Sequence, residues 1–334
     1  MSINVSRIEP PPRFRMDCYR YSLYPILKYY RCDADLLLLT ECSMLRYRDN
    51  LTCDARPMIS LTDLFDDLKI DQTFLDLDDK CTILRVLKYA LDHNCFAVCL
   101  LDAFYYSPFR AVYEKIHTSH GIPIYGYNEE KKVFYSIDSN YLESYDRILV
   151  EVSYEDVING IIGYKKLKKA SAIQVLIQND ESQINLPPMV DIRKKYISIF
   201  MKNQNIDEYD PVYEISHLCN YLDMNSSSEK EMIDFSIQHY KYIDQFINAR
   251  MLEYYGISRL LDSTEHLQQI NMLTIEKSNF IRSIMYRTVY TREYRWQSFK
   301  KFSEYFQVIA DCEKERLNFF HNFQWEKNMK SVSV

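Results

Sequence analysis

Residues 117–138 read HTSHGIPIYGYNEEKKVFYSID and decide the fold that we predict for the first half of the chain. Two apolar runs, Gly121–Tyr127 and Val133–Ile137, flank a polar turn at Asn128–Lys132. Apolar runs of this length on either side of a short polar segment are typical of a β-hairpin. Together with the helices and strands predicted around it, the hairpin indicates an α+β domain.

The register of this hairpin decides whether a histidine meets an aspartate. If the turn is centred on Glu129, His120 and Asp138 lie directly opposite each other, with Cβ atoms about 5 Å apart on one face of the sheet. A slip of one residue would place the two side chains on opposite faces. An imidazole held by a carboxylate is the orienting half of a nucleophilic triad, so the hairpin predicts two of its three members.

The composition is that of a globular protein of 334 residues, with 47% hydrophobic residues, 26% charged residues and a formal net charge of −6. This length suits one large domain or two of ordinary size. The negative charge argues against nucleic acid as a main partner. The start, MSINVSRIEPPP, has no basic region followed by an apolar stretch, and apolar runs such as Cys95–Leu101 are too short to cross a membrane. We therefore expect a cytoplasmic protein without a membrane partner.

The rest of the first half alternates predicted helices and strands. The run Pro10-Pro11-Pro12 suits an extended lead-in. Cys18–Tyr30 has an amphipathic helical pattern, and Pro25 either lies inside that helix or opens a shorter one. The further predictions are short helices at Asp35–Tyr47 and Thr62–Leu68, a helix at Asp79–His93, strands at Phe96–Leu101 and Arg147–Val152, and a helix at Tyr154–Gly160.

The pattern of residues changes near residue 180, and this change predicts a domain boundary. Pro187-Pro188 follows the polar stretch QNDESQ, and such segments are common between domains. Beyond it the spacing of apolar residues is helical throughout. We therefore predict an α+β domain at 1–180 and an all-α domain at 181–334.

Helix signals support the all-α prediction. Ser228 and Glu231 form a capping box ahead of an apolar stripe, and Gly256 suits the position that ends that helix. Neither glycine nor proline occurs beyond Gly256. Two further helices are predicted, at Thr264–Tyr290 and Glu293–Phe323.

The missing triad member would be a thiol or a hydroxyl, and Cys18 is the best candidate. The nine cysteines are scattered, without a CxxC pair or a spacing typical of zinc, so we predict mostly buried thiols and no metal site. Cys18 lies at the head of the first predicted helix, where the helix dipole and free N–H groups stabilise a thiolate. The adjacent Asp17 acts in the opposite direction. A buried structural cysteine is the alternative and the commoner fate of a cytosolic cysteine.

The other candidates have structural alternatives as well. His120 also fits a buried core histidine, and Asp138 also fits a residue that closes the hairpin on its own backbone. His117 competes with His120, but in a regular strand its offset of three residues places it on the opposite face. The Tyr105-Tyr106 pair can shape a pocket. The basic run Lys165–Lys169 is either a solvated surface or a docking site for an acidic carrier protein.

Two longer stretches carry signatures of a known family. In DCYRYSLYPILKYYRCDADLLLLTE, at 17–41, a cysteine opens a helix. In LLDAFYYSPFRAVYEKIHTSHGIPIYGYN, at 100–128, an aspartate ends a strand and two histidines precede the next one. Both stretches resemble the N-terminal family of butirosin biosynthesis protein H, over about residues 15–175. The broader group is papain-like and similar to the C39 peptidases, whose pattern of histidine, glycine and later aspartate is matched by His120, Gly126 and Asp138.

The resemblance implies a papain-like cysteine-protease fold with an antiparallel sheet, followed by helices. It implies that Cys18 is the nucleophile, His120 the general base and acid, and Asp138 the residue that orients the imidazole. The implied reaction moves an acyl group from a carrier-protein thioester to a small amine. It would form an amide during the biosynthesis of a specialised, nonribosomal peptide-like metabolite or antibiotic. The acyl donor would be carried on the partner's phosphopantetheine arm, and no cofactor of the chain itself is implied.

One position departs from the papain-like pattern. Papain-like peptidases place a glutamine about six residues before the cysteine to complete the oxyanion hole, and here that position is Pro12. The second oxyanion donor is therefore unassigned. Two alternatives stay open: a cysteine peptidase or thioesterase, and a catalytically silent protein that binds a carrier or a peptide. The apolar C-terminal helices suit a domain interface or a homodimer.

Overall fold

The computed structural model describes residues 17–47, 50–57, 59–110, 112–139, 147–178, 188–204, 209–225, 228–291 and 295–330. These residues form two compact units. The first unit contains the described residues up to Leu37 and those of Leu61–Ile192, and the second contains those of Leu38–Ser60 and Arg193–Ser331. The lead-in at 10–12 and the boundary stretch 179–187 lie outside the described residues. The division into domains at 1–180 and 181–334 stays a prediction.

A six-stranded sheet forms the framework of the first unit. The strands of the protein are, in chain order, β1 Glu41–Tyr47, β2 Leu51–Pro57, β3 Asp71–Leu75, β4 Phe96–Asp102, β5 Ser119–Asn128, β6 Val133–Ser139, β7 Arg147–Ser153 and β8 Ile173–Ile177. Strands β3 to β8 form the sheet in the order β3-β8-β4-β5-β6-β7, and every described pair is antiparallel. The predicted α+β class with an antiparallel sheet is therefore confirmed.

Four α-helices of the described residues belong to the first unit, and the C-terminal region is helical. The nine α-helices of the described residues are, in chain order, α1 Cys18–Tyr29, α2 Leu61–Asp67, α3 Lys80–Asp92, α4 Tyr154–Lys168, α5 Met189–Gln204, α6 Pro211–Asn225, α7 Glu229–Leu260, α8 Glu265–Thr291 and α9 Trp296–Asn322. The helices predicted at Thr62–Leu68 and Asp79–His93 are confirmed as α2 and α3, within one residue at each end.

Helix α1 has Cys18 as its first residue. Asp17 caps the helix, because its carboxylate accepts hydrogen bonds from two backbone N–H groups of the first turn. Residues 21–27 are buried without a gap, and Pro25 lies inside the helix. Burial of this stretch outweighs the one backbone hydrogen bond that a proline removes. The alternative in which Pro25 opens a shorter helix is therefore wrong.

The helix predicted at Asp35–Tyr47 is also wrong. The chain forms a 3₁₀ helix at Ala34–Leu39 and then strand β1, which pairs with β2 as an antiparallel hairpin. Leu45 and Leu51 of this hairpin are fully buried among residues of α6 and α7 in the second unit. Strand formation here depends on a partner strand and on helices distant in sequence, neither of which a local helical period reports.

Helix α7 continues past the residue at which the sequence ends it. Ser228 caps its start as predicted, and its side chain accepts a hydrogen bond from the N–H of Glu231. Gly256 lies inside the helix, which ends at Leu260. A Cβ atom on Gly256 would lie 2.9 Å from the Cβ atom of Leu38. Glycine is therefore needed for close packing, and its predicted role as the end of the helix is wrong.

Two arginines and two glutamates, Arg250, Glu253, Glu313 and Arg316, form a buried ion network in the second unit. Arg250 donates two hydrogen bonds of 2.6 Å to the carboxylate of Glu313. Arg316 donates to Glu313 at 3.2 Å and to Glu253 at 3.0 Å. Burial raises the pKa of Glu313, but the two guanidinium groups outweigh it and hold this pKa below its usual value. Charged side chains thus join α7 to α9 in the interior.

We expect Glu313→Ala to destabilise the second unit, because it leaves two buried guanidinium groups without their main partner. The expected loss is about 3 to 5 kcal/mol of unfolding free energy. Urea unfolding followed by tryptophan fluorescence measures it, since both tryptophans, Trp296 and Trp325, belong to the second unit.

Glu315→Ala is the matched control, because Glu315 lies on the same helix and its side chain is 61% exposed. Its expected effect is within about 0.5 kcal/mol. Equal losses for Glu313→Ala and Glu315→Ala would contradict the assignment of the network as a stabilising element.

Candidate active site

The hairpin that carries the candidate dyad has one register next to the turn and another beyond it. Next to the turn, Asn128 pairs with Val133. If this register continued, Asp138 would lie opposite Pro123, and its side chain would face away from that of His120. The predicted register, with His120 and Asp138 directly opposite each other, is therefore wrong.

A β-bulge just after Ile124 turns the two side chains to the same face. Beyond the bulge, Ile124 pairs with Ser136, and the same register puts Asp138 opposite Ile122. Ile122 and His120 share a face because they are two residues apart, so Asp138 is the diagonal neighbour of His120. The extra residue of the bulge thus shifts the register by one residue, which brings the two side chains to the same face of the sheet.

His120 and Asp138 meet in the interior of the first unit. Nε2 of His120 lies 2.8 Å from Oδ2 of Asp138, and the side chains are 6% and 2% exposed. Burial on its own lowers the pKa of His120. The charge and hydrogen bond of Asp138, with a smaller contribution from Cys18, outweigh burial and raise the pKa to about 9. The imidazole is therefore protonated at neutral pH and paired with the carboxylate.

Cys18 lies beside His120 because α1 packs against β5 at Gly121. A Cβ atom on Gly121 would lie 3.4 Å from both the carbonyl carbon and the oxygen of Cys18. The half-buried Cys18 lies close enough to His120 to help raise the pKa of the imidazole. Since Nε2 of His120 faces Asp138, Nδ1 is the ring nitrogen left for the thiol. The structure thus brings Cys18, His120 and Asp138 together, and their catalytic roles stay a prediction.

The carboxylate of Asp17 is held by its own helix. It accepts hydrogen bonds from the N–H groups of Tyr19 and Arg20 at 3.0 and 2.9 Å. The guanidinium of Arg20 donates a further bond of 2.6 Å to its other oxygen. The negative charge that the sequence places beside Cys18 is therefore offset by a cation and by two helix N–H groups.

His117 does not join this group. It precedes β5, so the argument about strand faces does not apply to it. Its Nδ1 lies 2.7 Å from Oδ2 of Asp102, and its side chain is 57% exposed whereas that of Asp102 is 2% exposed. The structure therefore contains a second histidine–aspartate pair, which the sequence did not predict.

Aromatic side chains surround the three candidate residues. The rings of Tyr106 and Phe109 lie 5.3 and 5.7 Å from the imidazole of His120, and Tyr106 is fully buried. Tyr164 of α4 lies close enough to Cys18 to interact electrostatically with it, and burial together with the Cys18 charge raises the pKa of Tyr164. The Tyr105-Tyr106 pair was a pocket prediction, whereas no sequence signal singled out Tyr164.

Within the described ranges, no group of three or more histidine, cysteine, aspartate or glutamate side chains is placed to hold a metal ion. Pro12, the position where papain-like peptidases have their oxyanion glutamine, lies outside the described residues. Across the same part of the chain, every helix is too short or too polar to cross a membrane.

Comparisons with other proteins leave the family of the chain open. The chain matches none of the models of known protein families and none of the curated proteins with which it was compared. The resemblance to the butirosin-type family, drawn from two stretches of sequence, therefore stays a prediction.

We expect His120 to titrate near pH 9, because Asp138 and Cys18 stabilise its protonated form. Asp138→Asn removes the negative charge but keeps the size of the side chain, so the midpoint should fall by about 1 to 3 pH units. Histidine Cε1–H resonances followed by NMR across the pH range measure this, with the His120→Ala spectrum assigning the signal.

Asp66→Asn is the control for this titration. Asp66 is exposed on α2, which packs on β3, the edge strand separated from β5 by two others. This variant should leave the His120 midpoint unchanged. A wild-type midpoint below pH 7, or the same shift in both variants, would contradict the assigned pairing.

Proposed function

We propose that the chain is a papain-like cysteine acyltransferase that forms an amide. The observation that carries this proposal is the continuous arrangement of a half-buried thiol, an imidazole and a buried carboxylate in Cys18, His120 and Asp138. This order of groups is the one that activates a nucleophile for acyl transfer. The resemblance over about residues 15–175 adds the substrate classes, a carrier-protein thioester and a small amine of specialised metabolism.

In the first half of the reaction, the Cys18 thiolate attacks the carbonyl carbon of the donor thioester. A bond forms between that carbon and Sγ, and the bond to the carrier sulfur breaks. The protonated His120 imidazole gives its proton to the departing thiolate of the carrier arm. The products are an acyl-Cys18 thioester and a free carrier thiol.

In the second half, the neutral amine attacks the acyl-Cys18 carbonyl. A carbon–nitrogen bond forms, the amine loses a proton to the His120 imidazole, which acts as the general base, and Sγ leaves as the thiolate. The net reaction converts a thioester and an amine into an amide and a thiol, without an oxidant or an additional cofactor. Asp138 holds the His120 ring in orientation through Nε2 during both halves.

An acyltransferase must keep water away from its acyl-enzyme. Tyr106 and Phe109 cover the imidazole of His120, and Asp138 is 1% exposed, so the inner side of the triad is dry. A dry wall favours an amine that binds over water that diffuses in. This cover supports the transferase over the peptidase or thioesterase alternative.

The basic end of α4 supports a carrier protein as the donor. Lys165 is paired with Asp76 and Asp78 in the structure, whereas the other three lysines of the run, Lys166, Lys168 and Lys169, are exposed. Lys168 is one helical turn, about 6 Å, along the helix axis from Tyr164, whose hydroxyl interacts with Cys18. An acidic carrier docked on these lysines would bring its arm close to the thiol.

We expect Cys18 to become acylated by a small thioester, and Cys18→Ala to abolish this. The probe is the acetyl thioester of N-acetylcysteamine, and intact-protein mass spectrometry reads the added acyl group. His120→Ala should slow acylation by about 100-fold or more, because proton transfer to the leaving thiol is lost.

Cys81→Ala is the control, because Cys81 is an exposed thiol on α3 and its loss should change nothing. Acylation that persists in Cys18→Ala would contradict the assigned nucleophile. A wild type that takes up no acyl group would favour the silent binding protein.

We expect the triple variant Lys166→Glu, Lys168→Glu and Lys169→Glu to raise KM for a donor on a carrier protein by about tenfold or more, because like charges now face each other. Turnover of the N-acetylcysteamine thioester should stay unchanged. A control triple change to glutamate at the exposed Lys230, Lys301 and Lys314 should affect neither donor. Equal effects of both triple changes would argue against a docking site on α4.

A further inference from the structure

The second histidine–aspartate pair has the geometry of a prepared proton acceptor. Both oxygens of the buried Asp102 carboxylate have a partner. Oδ2 lies 2.7 Å from Nδ1 of His117, and Oδ1 accepts a hydrogen bond of 3.1 Å from the backbone N–H of Phe104. A carboxylate on Nδ1 fixes the neutral tautomer in which Nδ1 carries the proton and Nε2 is an acceptor. The half-exposed ring therefore presents a lone pair to the outside, and it stacks on Phe104 with 4.3 Å between ring centroids.

The register of the sheet and the contacts of α4 place this pair near the triad. In the ladder between β4 and β5, Asp102 pairs with Ser119 and Leu101 pairs with His120, so Asp102 and His120 belong to neighbouring rungs. Neighbouring rungs of a regular ladder point to opposite faces, but β4 ends at Asp102. Cβ atoms on Gly160 and Gly163 of α4 would lie 3.1 Å from the Cβ atom of Leu101 and 2.8 Å from that of Asp102, so both rungs lie against α4. The ladder continues with a hydrogen bond of 2.8 Å from the N–H of Ala103 to the carbonyl of Thr118. Three extended residues span at most about 10 Å, which bounds the distance between the Cα atoms of the two histidines.

Helix α4 lies close to both the Asp102–His117 pair and Cys18. A Cβ atom on Gly163 would lie 2.8 Å from the Cβ atom of Asp102 and 2.8 Å from the ring of Tyr105, so the helix backbone touches the second pair. The next residue, Tyr164, interacts with Cys18. Adjacent residues of one helix therefore reach both the second pair and the nucleophile.

Amide formation from an ammonium ion needs two proton acceptors, and the triad supplies one. A small aliphatic amine is an ammonium ion at neutral pH, so it must lose one proton before it attacks and a second as the amide forms. The imidazole of His120 is protonated in the free enzyme, because its pKa is raised to about 9. It gives that proton to the carrier thiol and can then accept one proton from the amine, so the other proton needs a second base.

We propose that His117, oriented by Asp102, binds the amine substrate and accepts its proton. This inference rests on the proposed function. Nε2 of His117 accepts a hydrogen bond from the ammonium group, the first proton passes to Nε2, and the neutral amine attacks acyl-Cys18. As the carbon–nitrogen bond forms, the second proton passes to His120, which has given its own to the carrier thiol, and Sγ leaves as the thiolate. The carboxylate of Asp102 balances the imidazolium that forms at His117.

The test measures how acyl-Cys18 divides between amine and water. The enzyme is acylated with acetyl-N-acetylcysteamine in the presence of 1,3-diaminopropane at varied concentration, and the amide and acetate are quantified. In His117→Gln, the rate of acylation should stay within about twofold of wild type, whereas the ratio of amide to acetate should fall at least about tenfold.

Asp102→Asn tests the tautomer. The N–H of Phe104 requires an acceptor, so the amide oxygen of an asparagine would face it and the amide NH₂ would face Nδ1 of His117. The proton of the ring then moves to Nε2, which becomes a donor. This variant should therefore lose amide formation as His117→Gln does, with acylation preserved.

His93→Gln is the matched control. His93 is also an exposed histidine, with Nδ1 2.7 Å from a backbone carbonyl and its ring 4.0 Å from that of Tyr89 between centroids, but it lies at the end of α3. Its removal should leave the ratio of amide to acetate unchanged.

Three other results are possible, and each contradicts the inference or the proposed function. An unchanged ratio in His117→Gln would overturn the inference and leave the proposed function intact. A parallel loss of acylation and amide formation would assign His117 to the support of the loop at 103–117, which also overturns the inference. A wild type without acyl-Cys18 would overturn the proposed function and the inference together.

Discussion

One extra residue in β5 controls the arrangement of the candidate site. The turn at Asn128–Lys132 sets a register that turns His120 and Asp138 away from each other, and the bulge beside Tyr125 reverses this. Tyr125 is buried, and its ring stacks against that of Tyr135 with 6.3 Å between centroids, which holds the irregularity in place. The 2.8 Å contact between Nε2 and Oδ2, and the raised pKa that follows from it, both depend on this bulge.

The elements that the sequence predicted correctly are those whose signals are local. Helix α3 carries its own cap and apolar stripe, α7 begins at a capping serine, and the hairpin has two apolar runs around a polar turn. The predictions that are wrong concern residues whose packing partners are distant in sequence. The end of the stretch predicted as a helix, Glu41–Tyr47, becomes a strand because β2 and two helices pack on it, and Gly256 is internal because Leu38 lies against it. Neither partner is visible in a local window of sequence.

The same distinction applies to the candidate site. Cys18, His120 and Asp138 were chosen from residue type and from position in local elements, and the structure places them together. Their detailed geometry was not predictable, because a bulge leaves no pattern that separates it from a regular strand. The partnership of Asp102 with His117 depends on the ladder between β4 and β5 across an irregular loop. Residue spacing alone does not reveal such a pair.

The place of the β1–β2 hairpin in the second unit has a consequence for synthesis on the ribosome. Residues 38–60 leave the ribosome early, but the helices that bury Leu45 and Leu51 begin at Pro211. At ordinary translation speeds, the hairpin waits roughly ten seconds or more for its partners. A two-stranded hairpin alone is marginally stable, so its apolar side chains stay accessible to chaperones during this interval. The sheet of the first unit waits as well, since β8, at Ile173–Ile177, lies between β3 and β4 and must be made before they are joined.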